Sequence, residues 1–152
     1  MYDYILQEER ILLDLLDSRK KYTDEFAMYM SSHEVREVVI SGSGTSYHAA
    51  LASRRFLEEI FGIRVRAEYP FMVKDMQSVY DPATVCIGIS QGGNSQSTMD
   101  MLDKMGEFGV MRFAISENAK AAVFDRAEAK ALMEIGPELS VAKTKGYVAT
   151  IA

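Results

Sequence analysis

The sequence has a single cysteine, no basic surplus and no long apolar run, and each shortage removes a class of protein. With Cys86 alone, neither a disulfide framework nor a multi-thiolate metal centre can be built within the chain. Cys86 lies inside the apolar run Thr84-Val85-Cys86-Ile87-Gly88-Ile89, so it is expected to pack in a core, in a reducing compartment, and not to act as nucleophile or ligand. The 17 basic residues are outnumbered by 22 acidic ones, giving a net charge of -5, and no basic patch is interleaved with aromatics. Nucleic acid is therefore not an expected partner. No apolar stretch approaches the roughly 18 residues that span a bilayer. The start Met1-Tyr2-Asp3-Tyr4 is acidic and polar, where a secretory signal is basic and then apolar. The expectations are no membrane partner and a cytoplasmic location.

What is present is enough for one domain. A chain of 152 residues that is 48% hydrophobic and 26% charged can bury a full core without disulfides or structural metal. Ile5, Leu12, Leu15, Leu16, Tyr22, Phe26 and Met30 recur at helical spacing, which predicts one long helix or two consecutive ones over residues 3–31. The pattern then changes. Val35, Val38, Val39 and Ile40 lead into Ser41-Gly42-Ser43-Gly44, and a helical period follows through Ala49, Ala50, Phe56 and Ile60 to Gly62, placed as a C-terminal cap.

The unit then repeats in kind. Strands are expected near Ile63 to Ala67, at Thr84 to Ser90 and at Val110 to Ser116, with a helix from Ser95 to Phe108 stopped by Gly109. A weaker helix is expected at Ala119 to Arg126, a fifth strand at Lys130 to Ile135, and helix again from Glu138 onward. Short, nearly continuous apolar strands alternating with helices predict a doubly wound α/β domain, a five-stranded parallel sheet covered on both faces. The organisation expected is an N-terminal helical segment over 1–33 and an α/β domain over 34–152. The last segment is still helical in pattern at Ala152, so the sequence is expected to continue in a longer protein.

In open α/β sheets ligands collect outside the carboxyl ends of the strands. Two loops that fall there are rich in Gly, Ser and Thr. Gly42-Ser43-Gly44-Thr45-Ser46-Tyr47 opens like a dinucleotide fingerprint, but Tyr47 occupies the third glycine position, where a large side chain blocks close helix packing. Gly88-Ile89-Ser90-Gln91-Gly92-Gly93-Asn94-Ser95 has the spacing of a phosphate-binding P-loop, yet Asn94 stands where that loop needs lysine. Neither nicotinamide or flavin binding nor nucleotide hydrolysis fits. What remains is a site for one phosphate monoester, held by backbone N–H groups, by the hydroxyls of Thr45, Ser46, Ser90 and Ser95, and by helix N-termini. The plainer reading is that these residues only cap the helices that follow.

Here the sequence resembles the SIS (sugar isomerase) domain family of phosphosugar isomerases, including the isomerase half of glucosamine-6-phosphate synthase. Gly42-Ser43-Gly44-Thr45-Ser46-Tyr47 looks like the family's GxGTSY turn. Ser90-Gln91-Gly92-Gly93-Asn94-Ser95 looks like its SxSGxT loop. Glu138-Leu139-Ser140-Val141-Ala142-Lys143-Thr144-Lys145 is similar to its E-x-x-V-A-x-T-K segment. The resemblance implies a three-layer, flavodoxin-like fold and a sugar-phosphate substrate, with no cofactor and no metal. It places Thr45, Ser46, Ser90, Gln91, Gly92, Gly93 and Ser95 at the phosphate, and Gly44, Val141 and Ala142 at the sugar. Gly92 departs from the family's second loop serine and removes one hydroxyl. Asn94 replaces the synthase's glutamate, as in ketose/aldose isomerases and deaminases.

The implied activity is that of a sugar-phosphate aldose-ketose isomerase, deaminase or deglycase acting on a hexose or amino-sugar 6-phosphate. The family's two-domain members carry their principal glutamate base and ring-opening histidine in a second SIS domain, which is expected after residue 152. Within the chain, the candidates for proton transfer are His48, just after the first loop, and Glu138, at the start of the last helical segment. Lys143 and Lys145 are expected to be solvated or partner-facing, and His33 to be structural. A second SIS domain or a homodimer mate is the expected protein partner. The alternative is a non-catalytic module that senses a phosphosugar and controls a partner protein. Residues 1–31 are too short and too acidic for the DNA-binding helices of the family's regulators.

Overall fold

The computed structural model describes residues 1–75 and 80–152. Three helical pieces, α1 (Tyr2–Ile5), α2 (Glu8–Asp17) and α3 (Arg19–Ser32), stand where one or two helices were expected. One break falls at Ser18, whose hydroxyl donates to Asp14 O at 2.5 Å while its backbone leaves the helical region. A serine that bonds back to a carbonyl one turn earlier competes with the helical ladder.

The remaining elements are β1 (Glu37–Gly42), α4 (Thr45–Phe61), β2 (Arg64–Glu68), α5 (Pro70–Asp75), β3 (Thr84–Ile89), α6 (Gln96–Glu107), β4 (Met111–Ser116), a 3-10 turn (Ala122–Arg126), β5 (Ala129–Leu132) and α7 (Lys145–Ile151). Every strand pair is parallel, in the order β2-β1-β3-β4-β5. The doubly wound α/β fold read from the sequence is thus the fold observed. Gly62 caps α4 in the left-handed region at φ 64°, as expected.

The strands are apolar on both sides because helices cover both faces. Val38 and Ile40 of β1, with Val85, Ile87 and Ile89 of β3, pack toward Ala50 and Leu57 of α4 and toward Phe26 and Met30 of α3. Their neighbours Val39 and Cys86 face the opposite way, against Met101, Leu102 and Met105 of α6. These three side chains of α6 are fully buried, which stabilises the helix by about 1.5–3 kcal/mol each. The Cys86 thiol donates to Met101 Sδ at 3.3 Å, and burial pushes its pKa up to about 12. It is an inert core group. On the first face, Phe26 meets Phe113 edge to face at 5.2 Å, and Ile11 and Leu15 of α2 cover Met133, Ile135 and Ala149.

Three boundaries differ from expectation. The weaker helix is only the 3-10 turn, and β5 ends at Leu132, although Met133 N–H still donates to Ser116 O at 2.8 Å. Residues 138–144 are a loop, and α7 begins at Lys145. The cause is Glu138 itself, whose carboxylate takes the N–H groups of Thr144 and Gly146 and so forces the intervening chain to arch.

Candidate functional site

Strand order reverses between β1 and β3: β1 passes into α4 on one face of the sheet, β3 into α6 on the other. This switch point is where a crevice opens at the carboxyl ends of the strands. Both Gly- and Ser-rich loops border it.

The loop after β3 is tightly fixed. Gly93 N–H donates to Ser90 O at 2.9 Å, and Gly93 O accepts from Val123 N–H at 3.0 Å. Gly93 sits at φ 81°, and a Cβ there would run into Ala121. Only glycine fits that conformation and that approach. Ser90 Oγ accepts from Ser95 N–H at 3.3 Å. Ser95 is the N-cap of α6, its Oγ accepting from Thr98 N–H at 3.4 Å and from the Thr98 hydroxyl at 3.0 Å. The capping role read from the sequence is therefore present. With its oxygen engaged as acceptor, the Ser90 hydroxyl keeps a proton to donate, while the Ser95 hydroxyl also pairs with Ser97 Oγ at 3.1 Å. The first-turn N–H groups of Gln96 and Ser97 have no partner within the helix by position. Gly92 and Asn94 are exposed at the loop's outer edge.

The loop after β1 is held differently. Gly44 adopts φ 58°, ψ -126°, and its carbonyl accepts from His48 N–H at 3.2 Å. Ser46 is 7% exposed and lies against Gly42, where a Cβ would come within 2.7 Å of the Ser46 Cβ. Thr45 is half-buried at the mouth of α4. His48 is exposed, its ring 5.6 Å from Tyr47. Tyr47 in turn stacks on Tyr69 at 3.9 Å, so the large residue that spoils a dinucleotide fingerprint packs across the end of β2.

The strap 138–144 leads into α7 and reaches the end of β4 through Lys143 and Glu117. Glu138 is 2% exposed. Its Oε1 accepts from Thr144 N–H at 2.7 Å and from the Thr144 hydroxyl at 2.8 Å, and its Oε2 from Gly146 N–H at 3.0 Å. Burial would raise its pKa, but these donors and the charge of Lys143 outweigh burial and hold the carboxyl below its usual range. Its geometry is that of a brace at the start of α7. Leu139 and Val141 are 90% and 103% exposed, and Ala142 is exposed beside them.

The two lysines are placed otherwise than expected. Lys143 Nζ donates to Glu138 O and lies 3.5 Å from Glu117 Oε1. Lys145 is 3% exposed, donating to Ile135 O at 3.0 Å and to Gln7 Oε1 at 3.2 Å, with the Tyr4 ring 5.1 Å away. Each is committed inside the protein, because a buried ammonium is tolerated only when paired. Gln91 is also inside: its side chain presses on Gly146, where any Cβ would overlap it, and its Nε2 is buried with no partner among the described residues. His33 stacks on Tyr29 at 4.1 Å and bonds Ser32 Oγ at 2.9 Å.

Glu117 carries no motif and escaped the sequence reading. It follows β4 directly, in the row of strand ends where crevice residues arise, and that position was its one signal. Burial raises its pKa against the pull of Lys143, and the charge of Glu138 adds to the rise. Among the described residues, no three His, Cys, Asp or Glu side chains group to hold a metal ion, and no helix is long and apolar enough to cross a membrane.

Comparison with known proteins agrees with the fold. The SIS domain model matches residues 33–152, and the chain belongs to that family. It is 32% identical over 120 residues to glutamine--fructose-6-phosphate aminotransferase [isomerizing] of Acidithiobacillus ferridurans, a match covering 78% of this chain and 20% of that protein. An Arabidopsis thaliana enzyme of the same name is 34% identical over 116 residues, covering 76% of this chain and 17% of its own length. The chain thus spans about a fifth of the curated relatives it matches. Among solved structures, a proposed phosphosugar isomerase from Clostridium difficile 630 superposes with a TM-score of 0.89 at 27% identity, over 99% of this chain and 42% of that one.

Proposed function

We propose that the crevice at the β1/β3 switch point binds the phosphate of a hexose or amino-sugar 6-phosphate, as the N-terminal half of a sugar-phosphate isomerase, deaminase or deglycase. The observation that carries this is the loop Ser90–Ser95. Its Ser90 hydroxyl accepts from a backbone N–H and so keeps its proton for an anion, and the hydroxyls of Ser95 and Ser97 pair beside it at the open first turn of α6. Thr45, Ser46, Gln91, Gly92 and Gly93 complete the phosphate cradle, and Gly44, Val141 and Ala142 face the sugar. Relatives whose names specify fructose 6-phosphate support the choice of ligand.

In this reading the chain supplies binding and leaves most of the chemistry to other groups. Glu138 spends both oxygens on internal donors, and His48 is exposed on α4, so neither is poised as a base in the free protein. Turnover needs a second SIS domain or a homodimer mate. An apolar cavity of about 270 Å³ bordered by Leu16, Phe56, Ile89, Met133 and Ile151 is a surface suited to that partner. The same saturation of Glu138 favours the second reading, a phosphosugar-sensing module without catalysis.

The test is a titration of the chain with fructose 6-phosphate, glucosamine 6-phosphate and inorganic phosphate, following the amides of Gly92, Gly93 and Thr45. Shifts at these amides are the expected result, and silence with all three ligands overturns the proposal. Aldose-ketose turnover by the natural full-length protein separates enzyme from sensor. Light scattering that shows a strict monomer at high concentration counts against the partner surface.

A further inference from the structure

Glu117 joins the two halves of the crevice. Its N–H donates to Gln91 O at 3.1 Å, next to the Ser116 hydroxyl, which donates to the same oxygen at 3.0 Å. The end of β4 is thereby fastened to the loop Ser90–Ser95. Its Oε1 faces Lys143 Nζ at 3.5 Å, with only 11% and 17% of the two side chains exposed, and Lys143 also donates to Glu138 O.

The strap has little else to hold it. Leu139, Val141 and Ala142 point outward and add no core packing. Its tethers are polar: Glu138 to Thr144 and Gly146, Leu139 N–H to the Tyr4 hydroxyl at 3.1 Å, and Lys143 to Glu117. Of these, the ion pair of Lys143 with Glu117 ties the middle of the strap to a residue bonded to the phosphate loop, while Gln91 of that loop packs on Gly146 beyond the strap's end. Glu117 Oε2 is buried with no partner among the described residues, which is costly for a carboxylate and is kept where the group has a duty.

We infer that Glu117 is a positioning residue: through Lys143 it holds the strap carrying Val141 and Ala142 in register with the phosphate loop. Recognition of the sugar then depends on Glu117, while capture of the phosphate does not. This rests on the phosphosugar reading and assigns a duty to a residue outside its motifs. Glu117 also neutralises Lys143, so removing the carboxylate leaves a cation beside an anion site, which holds or strengthens phosphate binding.

The test compares glucosamine 6-phosphate with inorganic phosphate on wild type, Glu117→Gln and Lys143→Met. In Glu117→Gln the Kd for glucosamine 6-phosphate is expected to rise about tenfold, while that for inorganic phosphate stays within about threefold or tightens. The sugar phosphate should still shift the amides of Gly92 and Gly93 but no longer those of Val141 and Ala142. Lys143→Met should lose the same strap shifts, and it decides the matter alone if Glu117→Gln does not fold. Equal weakening for both ligands, or no change for either, overturns the positioning role and leaves the phosphosugar reading standing. Silence of the wild type toward both ligands overturns both.

Discussion

The two edges of the sheet carry similar charged residues and use them in opposite ways. At the amino edge, Arg36 meets Asp81 at 2.6 Å with 59% and 52% of the side chains exposed, and Arg64 lies 3.9 Å from Glu37. Asp81 is held below its usual range by Ala83 N–H and by Arg36, in open solvent. At the carboxyl edge, Glu138 and Lys145 are nearly sealed, and both bond to backbone groups. Exposed pairs contribute little net stability, whereas a buried charge must be fully bonded or it destabilises the fold. Nearly sealed charge therefore marks the carboxyl edge, whereas the amino edge combines exposed pairs with the half-buried pair of Arg66 and Glu37 at 3.8 Å.

The contrast is broken most severely at the loop that anchors the site. Gly93→Ala should lose about 3 kcal/mol, from a non-glycine residue at positive φ and overlap with Ala121, and should abolish the amide shifts on phosphate binding. Urea unfolding and the phosphate titration check both parts. Next, Glu138→Ala leaves the Thr144 and Gly146 N–H groups buried without an acceptor. It should lower unfolding free energy by about 2–4 kcal/mol and loosen the start of α7, seen as faster amide exchange at Gly146.

The pH dependence sharpens the comparison further. Glu138 has a depressed pKa, so its stabilisation is present above the unfolded carboxyl value and is lost as pH falls through its folded value. Glu117 has a raised pKa, so its contribution runs the other way: complete below the unfolded value and lost as pH rises through the folded one. Glu117→Gln should therefore gain on wild type as pH climbs from about 4.5 toward neutrality. Urea midpoints across that range read the trend, and a parallel pair of curves refutes it. The smallest effect belongs to the amino edge. Arg36→Ala should leave the thermal midpoint nearly unchanged, more so at high salt, and a large loss there would erase the distinction between the edges.

Much of the architecture was legible in the sequence because strand burial leaves a local trace. Apolar runs at Val38–Ile40 and Thr84–Ile89, and the helical period closed by Gly62, needed no knowledge of what packs against them. The two loops were legible for the same reason, since Gly44 and Gly93 hold backbone conformations that their own residue type permits. The strap was misread as helix because its shape is set by Glu138 reaching forward to Thr144 and Gly146, a choice invisible to periodicity. Lys143 and Lys145 were misread as solvated because their partners, Glu117, Gln7 and Ile135, are distant in sequence or unmarked by motif.

By itself, then, the sequence determined the parallel α/β fold and the two glycine-rich loops that end β1 and β3. These depend on side-chain size and backbone permission at single positions. Only the tertiary structure decided that Glu138 is bonded as a brace, that Lys145 is buried and Lys143 paired, and that Glu117 links strap to loop. Those facts depend on the low polarity of the interior, where an ionised group is stable only beside partners that folding brings to it.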